Sequence, residues 1–380
     1  MSNHYFVTGA TGAVGSALIP LLLEDRHAKI WILLRAESND HLQQRLQTLL
    51  DFWEVDKEQA EDAKRRITPI QGDTDAAKFA MQSEQYAEIA QQCTHIIHCA
   101  GVVRMNLPLE VARQHALGSA KNIIELALAC QAAGNLQKVE FVSTVGVAGR
   151  MPGNVPETWI TLPRTFHNTY EQSKAEAEDY LREQIEQHSL PVTVHRPSMV
   201  VGDSKTGKII HFQIFYHICE FLAGRRSLGL LPFLGNTILD TVPVDYVAGV
   251  ICWSSGQQMT IGKILHECSG PKQAITLKAL QIQVRQMMRA QDIKIPMLIQ
   301  LPTVVFNFAI NWIAPFLSEK MQRAIKAFPF FLDYLADEQG FSNQETIQLL
   351  EQQANMRLPE VSSYLAGVLT KYLQGQVAAH

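Results

Sequence analysis

The segment Tyr-Glu-Gln-Ser-Lys places Tyr170 and Lys174 four residues apart, one turn along a single helix face. Their chemistry is complementary: a phenol carries a transferable proton, and an ammonium beside it is expected to lower the phenol's pKa toward neutrality. Upstream, VSTVGVAG offers hydroxyls at Ser143 and Thr144 that suit a grip on a substrate oxygen. Together these groups form a set for moving a proton to or from a carbonyl oxygen. The tyrosine–lysine spacing alone is common on ordinary helix surfaces, so its meaning depends on its surroundings.

TGATGAVG (Thr8 to Gly15) lies between the apolar run Tyr5 to Val7 and the stretch SALIPLLLED. Gly9 permits a tight turn after a strand, Gly12 lets a pyrophosphate approach the backbone, and Gly15 lets the following helix pack closely on a sheet. Thr11, Ala13 and Val14 complete the loop and the helix N-terminus, whose free N–H groups and partial positive charge favour phosphate. The second apolar run, KIWILLR, ends in Arg35, where a dinucleotide fold that binds NAD usually carries an acid. A guanidinium there matches a 2′-phosphate, which favours NADPH; Glu37, two residues on, leaves a ribose acceptor for NAD as the alternative. Asp73, ending IQGD, is placed to accept the adenine amino group, and the small residues of HCAG (Cys99, Ala100, Gly101) let backbone lie against a ribose.

These groups require a scaffold. Six apolar runs (HYFVTG, KIWILLR, ITPIQGD, HIIHCAG, VEFVSTV and VTVHRPSMVVG) alternate with amphipathic stretches such as Ala13 to Glu24 and Ala116 to Ala132, the pattern of parallel β-α-β units. The fold class is therefore α/β: a Rossmann-type, doubly wound parallel sheet with a smaller, mostly helical C-terminal substrate-binding region. Residues 1–202 form the dinucleotide domain, with 238–270 returning to it through LDTVPVDYVAGVI. Residues 203–237 and 271–380 form the substrate region, closing in a helix from Asn343 to Asn355. The net charge of −4 over 380 residues, with no basic run, gives nucleic acid no footing. Six cysteines without metal-like spacing read as buried, reduced thiols, no metal is expected, and the start MSNHYFV leaves no room for a signal peptide; a cytoplasmic protein is expected. The uncharged segment 295–318 is interrupted by Pro302, Asn307, Asn311 and Pro315. It reads first as a buried helix pair or lipid-substrate wall, second as a peripheral membrane contact, and last as a span.

TGATGAVG, HCAG, FVSTVGVAG, YEQSK and HRPSMVVG, in this order over roughly residues 4 to 250, resemble the extended short-chain dehydrogenase/reductase superfamily. The resemblance implies a catalytic set of Thr144, Tyr170 and Lys174, with Thr144 rather than Ser143 as the hydroxyl by its distance from Gly149. It implies that Lys174 also bonds the nicotinamide ribose and that Pro197, Ser198 and Val200 lie along the nicotinamide. One departure is His115, in HALGS, at the position of an asparagine that supports a water path to the lysine in many members. Packing is the favoured role for His115, and substitution for the asparagine is the other.

RPSMVVGDSKTGKI resembles the thioester reductase and fatty acyl-CoA reductase branch. With the aromatic run Phe212 to Phe221 and the apolar Leu228 to Leu234, this implies an NADPH-dependent reduction of an acyl thioester to an aldehyde or alcohol. Arg225 and Arg226 either meet coenzyme A phosphates or form a solvated turn. The alternatives are a ketone or aldehyde reductase (including the hydroxysteroid type) and, in another class, a non-catalytic NADPH-sensing protein. Acyl chain length, carrier and oligomeric state are not encoded in any motif.

Overall fold

The apolar runs assemble into one parallel sheet because the central ones are buried on both faces and helices cross back between them. The computed structural model of the chain describes residues 2–313 and 339–378. Seven strands, β1 (His4–Thr8), β2 (Lys29–Leu34), β3 (Ile67–Gln71), β4 (His95–His98), β5 (Lys138–Val142), β6 (Val192–His195) and β7 (Ile264–Leu265), pair in the order 3-2-1-4-5-6-7. Every pairing is parallel. Strands β4, β5 and β6 bury every residue. That includes charged ones: His195 bridges Glu140 at 2.7 Å and Glu267 at 2.5 Å. Burial opposes its protonation, but the two carboxylates outweigh it and raise the imidazole to about 9.

One face of the sheet is covered by α1 (Ala13–Leu22), α2 (Asn39–Trp53) and a later helix, α6 (Val244–Ser255). The other face is covered by α3 (Ser119–Ala132) and α4 (Thr169–His188). In α2, Leu42, Leu46, Leu49 and Leu50 recur at helical spacing and all point inward. A separate core joins α5 (Ile214–Leu222), α7 (Leu277–Ala290), α8 (Thr303–Ile313) and α10 (Val361–Ala378). It meets the scaffold where Tyr364 donates to the Thr241 carbonyl at 2.9 Å. The helix between them, α9 (Gln344–Ala354), instead inserts Leu350 into the core of the sheet.

Three sequence expectations change. VTVHRPSMVVG is not one strand: it leaves the sheet after His195, because Pro197 has no N–H for a ladder, and resumes as Met199–Val201, paired with Thr241–Pro243. The helix expected over Asn343 to Asn355 is α9, flanked by those two asparagines, but it does not close the fold. A further helix, α10, follows, with Tyr364, Leu365, Val368, Leu369, Tyr372 and Leu373 on a buried stripe. The segment 295–318 breaks into the short strand Ile299–Leu301, paired with Leu230–Pro232, and α8; its residues from 314 lie outside the described part. Phe306 and Ile310 of α8 are buried in the second core, whereas Val304, Phe308 and Trp312 are exposed. Among the described residues no helix is long and apolar enough to cross a membrane.

Leu365 has no exposed surface. Replacing it with alanine is expected to cost about 2–5 kcal/mol in urea unfolding, through lost burial plus a cavity in the second core. A loss below about 1 kcal/mol would show that α10 is peripheral to folding.

Candidate active site

The sheet order reverses between β1 and β4, and open α/β sheets bind ligands in the crevice at such a point. Here the chain must turn sharply. Gly9 adopts φ +76°, and a Cβ on it would sit 2.5 Å from Ala100 N; a Cβ on Gly15 would sit 2.3 Å from Gly9 O. The Gly12 N–H donates to Gly9 O at 2.8 Å, and Gly12 leads into α1 with no side-chain cap, leaving the first-turn N–H groups open. Gly9, Thr11 and Gly15 thus shape the loop from behind, while Gly12, Ala13 and Val14 line the cleft.

Two further segments close this cleft. Helix α4 begins with reciprocal caps: Asn168 Oδ1 accepts the Glu171 N–H at 3.0 Å, and Glu171 Oε2 accepts the His167 N–H at 3.0 Å. Thr169 Oγ1 donates to Leu107 O at 2.8 Å, so the turn that carries Tyr170 is held on both sides. At the end of β5, Thr144 caps the short helical turn Val145–Ala148, its Oγ1 accepting the Gly146 N–H at 3.2 Å, and its hydroxyl acts on the Tyr170 phenol to lower its pKa. Ser143 lines the same cleft; burial raises the nearby Glu178 carboxyl, and Arg196 above all, with Ser143 adding to it, brings it below its ordinary value. Lys174 Nζ donates to the Val142 carbonyl at 3.0 Å. The structure therefore brings Thr144, Tyr170, Lys174, Cys99, Ala100, Gly101, Pro197, Ser198 and Val200 together around one cleft with the phosphate loop, and Met105, Met199 and Ile214 add an apolar wall.

The electrostatics differ from the simple expectation. Burial pushes the Tyr170 phenol up to about 12; its bond with Thr144 pulls it back in part, and Glu171 adds to the rise. Lys174 does not offset this. Burial lowers Lys174 itself to about 8, against upward pulls from Glu178 and Cys99. Tyr170 is therefore a protonated donor at neutral pH, not a depressed phenol.

Arg35 and Asp73 lie apart from the cleft, on a second depression at the ends of β2 and β3. Asp73 Oδ1 accepts the Asp75 N–H at 3.1 Å. Arg45 was not legible as a site residue, since a charge on the outer half of α2 looks like a solvated face. It donates to the Arg35 backbone carbonyl at 2.8 Å and to Thr11 Oγ1 at 2.9 Å, which sets a second guanidinium beside the phosphate loop and the end of β2. Arg225 is held at 2.9 Å by Glu220, which leaves it engaged within the turn. His115 does more than pack: it pairs with Asp75 and walls a small cavity with Tyr170 and Lys174. Among the described residues no cluster of three or more His, Cys, Asp or Glu side chains is arranged to hold a metal.

A Rossmann sheet with an open phosphate loop and a tyrosine–lysine pair at its switch point defines a nicotinamide-dependent oxidoreductase. Residues 7–251 match the male sterility protein family, and the chain belongs to that family. It is 28% identical over 273 residues to an isonitrile lipopeptide synthase of Streptomyces coeruleorubidus, covering 71% of this chain and 18% of that protein. It is 27% identical over 280 residues to an aldehyde reductase of Aspergillus flavus, covering 70% and 25%. The chain spans about a quarter or less of the curated relatives it matches first. Among solved structures, the terminal R domain of the myxalamid PKS-NRPS pathway has the same fold at a TM-score of 0.79 and 23% identity, covering 99% of this chain and 91% of that one. A thiolation-reductase di-domain from an archaeal non-ribosomal peptide synthetase follows at 0.73 and 17%, covering 100% and 77%.

Since Lys174 loses its charge as pH rises through about 8, kcat/KM for reduction is expected to fall above that pH. Glu178 raises the lysine's pKa, so Glu178→Gln is expected to move that alkaline limb to lower pH. A limb that stays in place in a pH–rate profile of this variant would separate Lys174 from the titration.

Proposed function

We propose that the protein is an NADPH-dependent reductase of acyl thioesters, either coenzyme A-bound or carrier-bound, giving an aldehyde and, by a second reduction, an alcohol. The observation that carries this reading is the gathering of Thr144, Tyr170 and Lys174 in one cleft with the phosphate loop and an apolar far wall. The sequence RPSMVVGDSKTGKI and the reductase domains and aldehyde reductase among its relatives support it.

The residues present fit a phosphorylated dinucleotide. Gly12, Ala13 and Val14 would hold the pyrophosphate, Cys99, Ala100 and Gly101 a ribose, Asp73 the adenine amino group, and Arg35 with Arg45 the 2′-phosphate. Lys174 would bond the nicotinamide ribose, and Pro197, Ser198 and Val200 would flank the ring. When bound, NADPH supplies the hydride that reduces the carbonyl carbon. Thr144 and Tyr170 hold the carbonyl oxygen, and Tyr170 gives it a proton as negative charge develops there. The hemithioacetal so formed loses its thiol and leaves an aldehyde. Residues 203–237 and 271–380 would receive the acyl chain, with Met199 and Ile214 at its entrance.

Oxidation of NADPH with acyl-CoA thioesters, followed together with thiol release, tests the reaction. Thiol and NADP+ are expected to appear in step, and Tyr170→Phe is expected to lower kcat about 100-fold or more. Turnover of ketones or aldehydes with no thiol released would favour a simple carbonyl reductase, the reading that the Aspergillus flavus relative supports. NADPH binding with no turnover of any carbonyl would indicate a sensor. In a separate fluorescence titration, Arg35→Ala and Arg45→Ala are each expected to weaken NADPH about 10- to 100-fold, the worth of one charge-assisted contact, with NADH little changed. Equal losses for both cofactors would remove the 2′-phosphate assignment.

A further inference from the structure

The second hydrophobic core has an outer side that the chain leaves apolar. In α8, Phe306 and Ile310 are buried in that core, yet Val304 and Phe308, also four residues apart, are 81% and 73% exposed. A surface helix normally carries polar residues on its outer stripe, whereas α8 has no charged residue at any position. The segment before it continues the surface: Met297 is 82% exposed, and Ile299, Phe233 and Leu228 are exposed as well. Apolar side chains gathered in this way mark an interaction site.

The backbone holds these side chains in one place. Ile299 pairs with Leu230, the Ile299 N–H donates to the Gly229 carbonyl at 2.9 Å, and the Phe233 N–H donates to the Leu301 carbonyl at 3.0 Å. A Cβ on Gly229, at φ +87°, would sit 2.1 Å from the Met297 carbonyl oxygen, so glycine is what lets the two segments approach. Arg285 of α7 joins both segments, donating to the Ala223 carbonyl at 2.7 Å and to the Pro296 carbonyl at 3.0 Å.

The charges around this surface are mostly positive. Residues 220–233 and 285–308 hold five cations (Arg225, Arg226, Arg285, Arg289 and Lys294) against two acids, Glu220 and Asp292. Glu220 is buried and paired with Arg225 at 2.9 Å. This face is therefore cationic on a chain whose net charge is −4. A second copy of the chain would set the same cations against each other. An anionic bilayer answers both features at once: its acyl boundary takes apolar side chains, and its headgroup phosphates attract Lys and Arg.

We propose that this face docks on an anionic phospholipid membrane, with Phe233, Met297, Ile299, Val304 and Phe308 in the interface and Arg226, Arg289 and Lys294 at the phosphates. The protein lies on the bilayer and does not cross it. Docking requires no substrate. Its consequence for the reaction rests on the thioester reading: the core behind this face reaches the cleft through Ile214 and Met199, so acyl chains that partition into the bilayer gain a short path to the site.

The test is sedimentation of the full chain, without substrate, with vesicles of phosphatidylcholine alone or mixed with phosphatidylglycerol. Binding is expected on the mixed vesicles and about tenfold weaker or less on phosphatidylcholine alone. The pair Val304→Ser with Phe308→Ser is expected to weaken binding to mixed vesicles about tenfold or more, and Lys294→Ala about fivefold. These side chains are exposed, so the unfolding midpoint is expected to stay where it is. No binding to mixed vesicles, equal binding to both vesicle types, or undiminished binding by the serine pair would overturn the proposal; a dimer of the free protein that the serine pair dissolves, with no vesicle binding, would assign the face to a second copy instead. A chain that binds mixed vesicles but reduces no thioester overturns the thioester reading and leaves the docking intact.

Discussion

A guanidinium with no exposed surface holds the site together. Arg196, directly after β6, donates through Nε and Nη2 to both oxygens of Glu178, at 3.0 and 2.6 Å, and through Nη1 to the Thr158 carbonyl at 3.0 Å. Two charges taken out of water cost several kcal/mol each, so such a pair persists only when its donors and acceptors are matched. It locks α4 against the strand end. On one side of that lock lie Tyr170 and Lys174; on the other, the chain leaves the sheet at Pro197 and forms the cleft floor. Glu178, one turn past Lys174, also places a negative charge near the ammonium.

Burial then sets the proton inventory. The same desolvation raises Tyr170 and lowers Lys174, because the charged form is anionic in one and cationic in the other. Burial thus leaves a phenol near 12 beside an amine near 8. His98, at the end of β4, is pushed to about 3 by burial and by Lys174, so it stays neutral and adds no competing charge.

The clefts divide the work along the sheet. The loop after β1 and the end of β4 meet at the switch point, with Thr144, Tyr170 and Lys174 beyond them at the end of β5 and on α4. The depression carrying Arg35 and Asp73 lies toward the β3 edge. The second hydrophobic core stands over the opposite end, carried by α5, α7, α8 and α10, and reaches the cleft through Ile214 and Met199.

Local spacing made much of this legible. Three glycines after an apolar run, six apolar runs separated by helices, and a tyrosine four residues before a lysine are short-range patterns, and strands and helices impose those periods wherever they form. The sequence thus determined the Rossmann sheet, the phosphate loop and the helix that carries Tyr170 and Lys174. It did not determine which groups meet across long separations. That Ser143 and Thr144 both reach the cleft beside Tyr170 follows from how β5 turns into the Val145 helix. That Arg45 backs Arg35 follows from the angle at which α2 returns over the loop. Asp75 finds His115 because the β3 turn and a π turn forty residues apart share one corner. The rise that burial gives the Tyr170 phenol is hidden for the same reason: a neighbouring charge is visible in sequence, but the depth of burial is decided only when the tertiary structure removes the water.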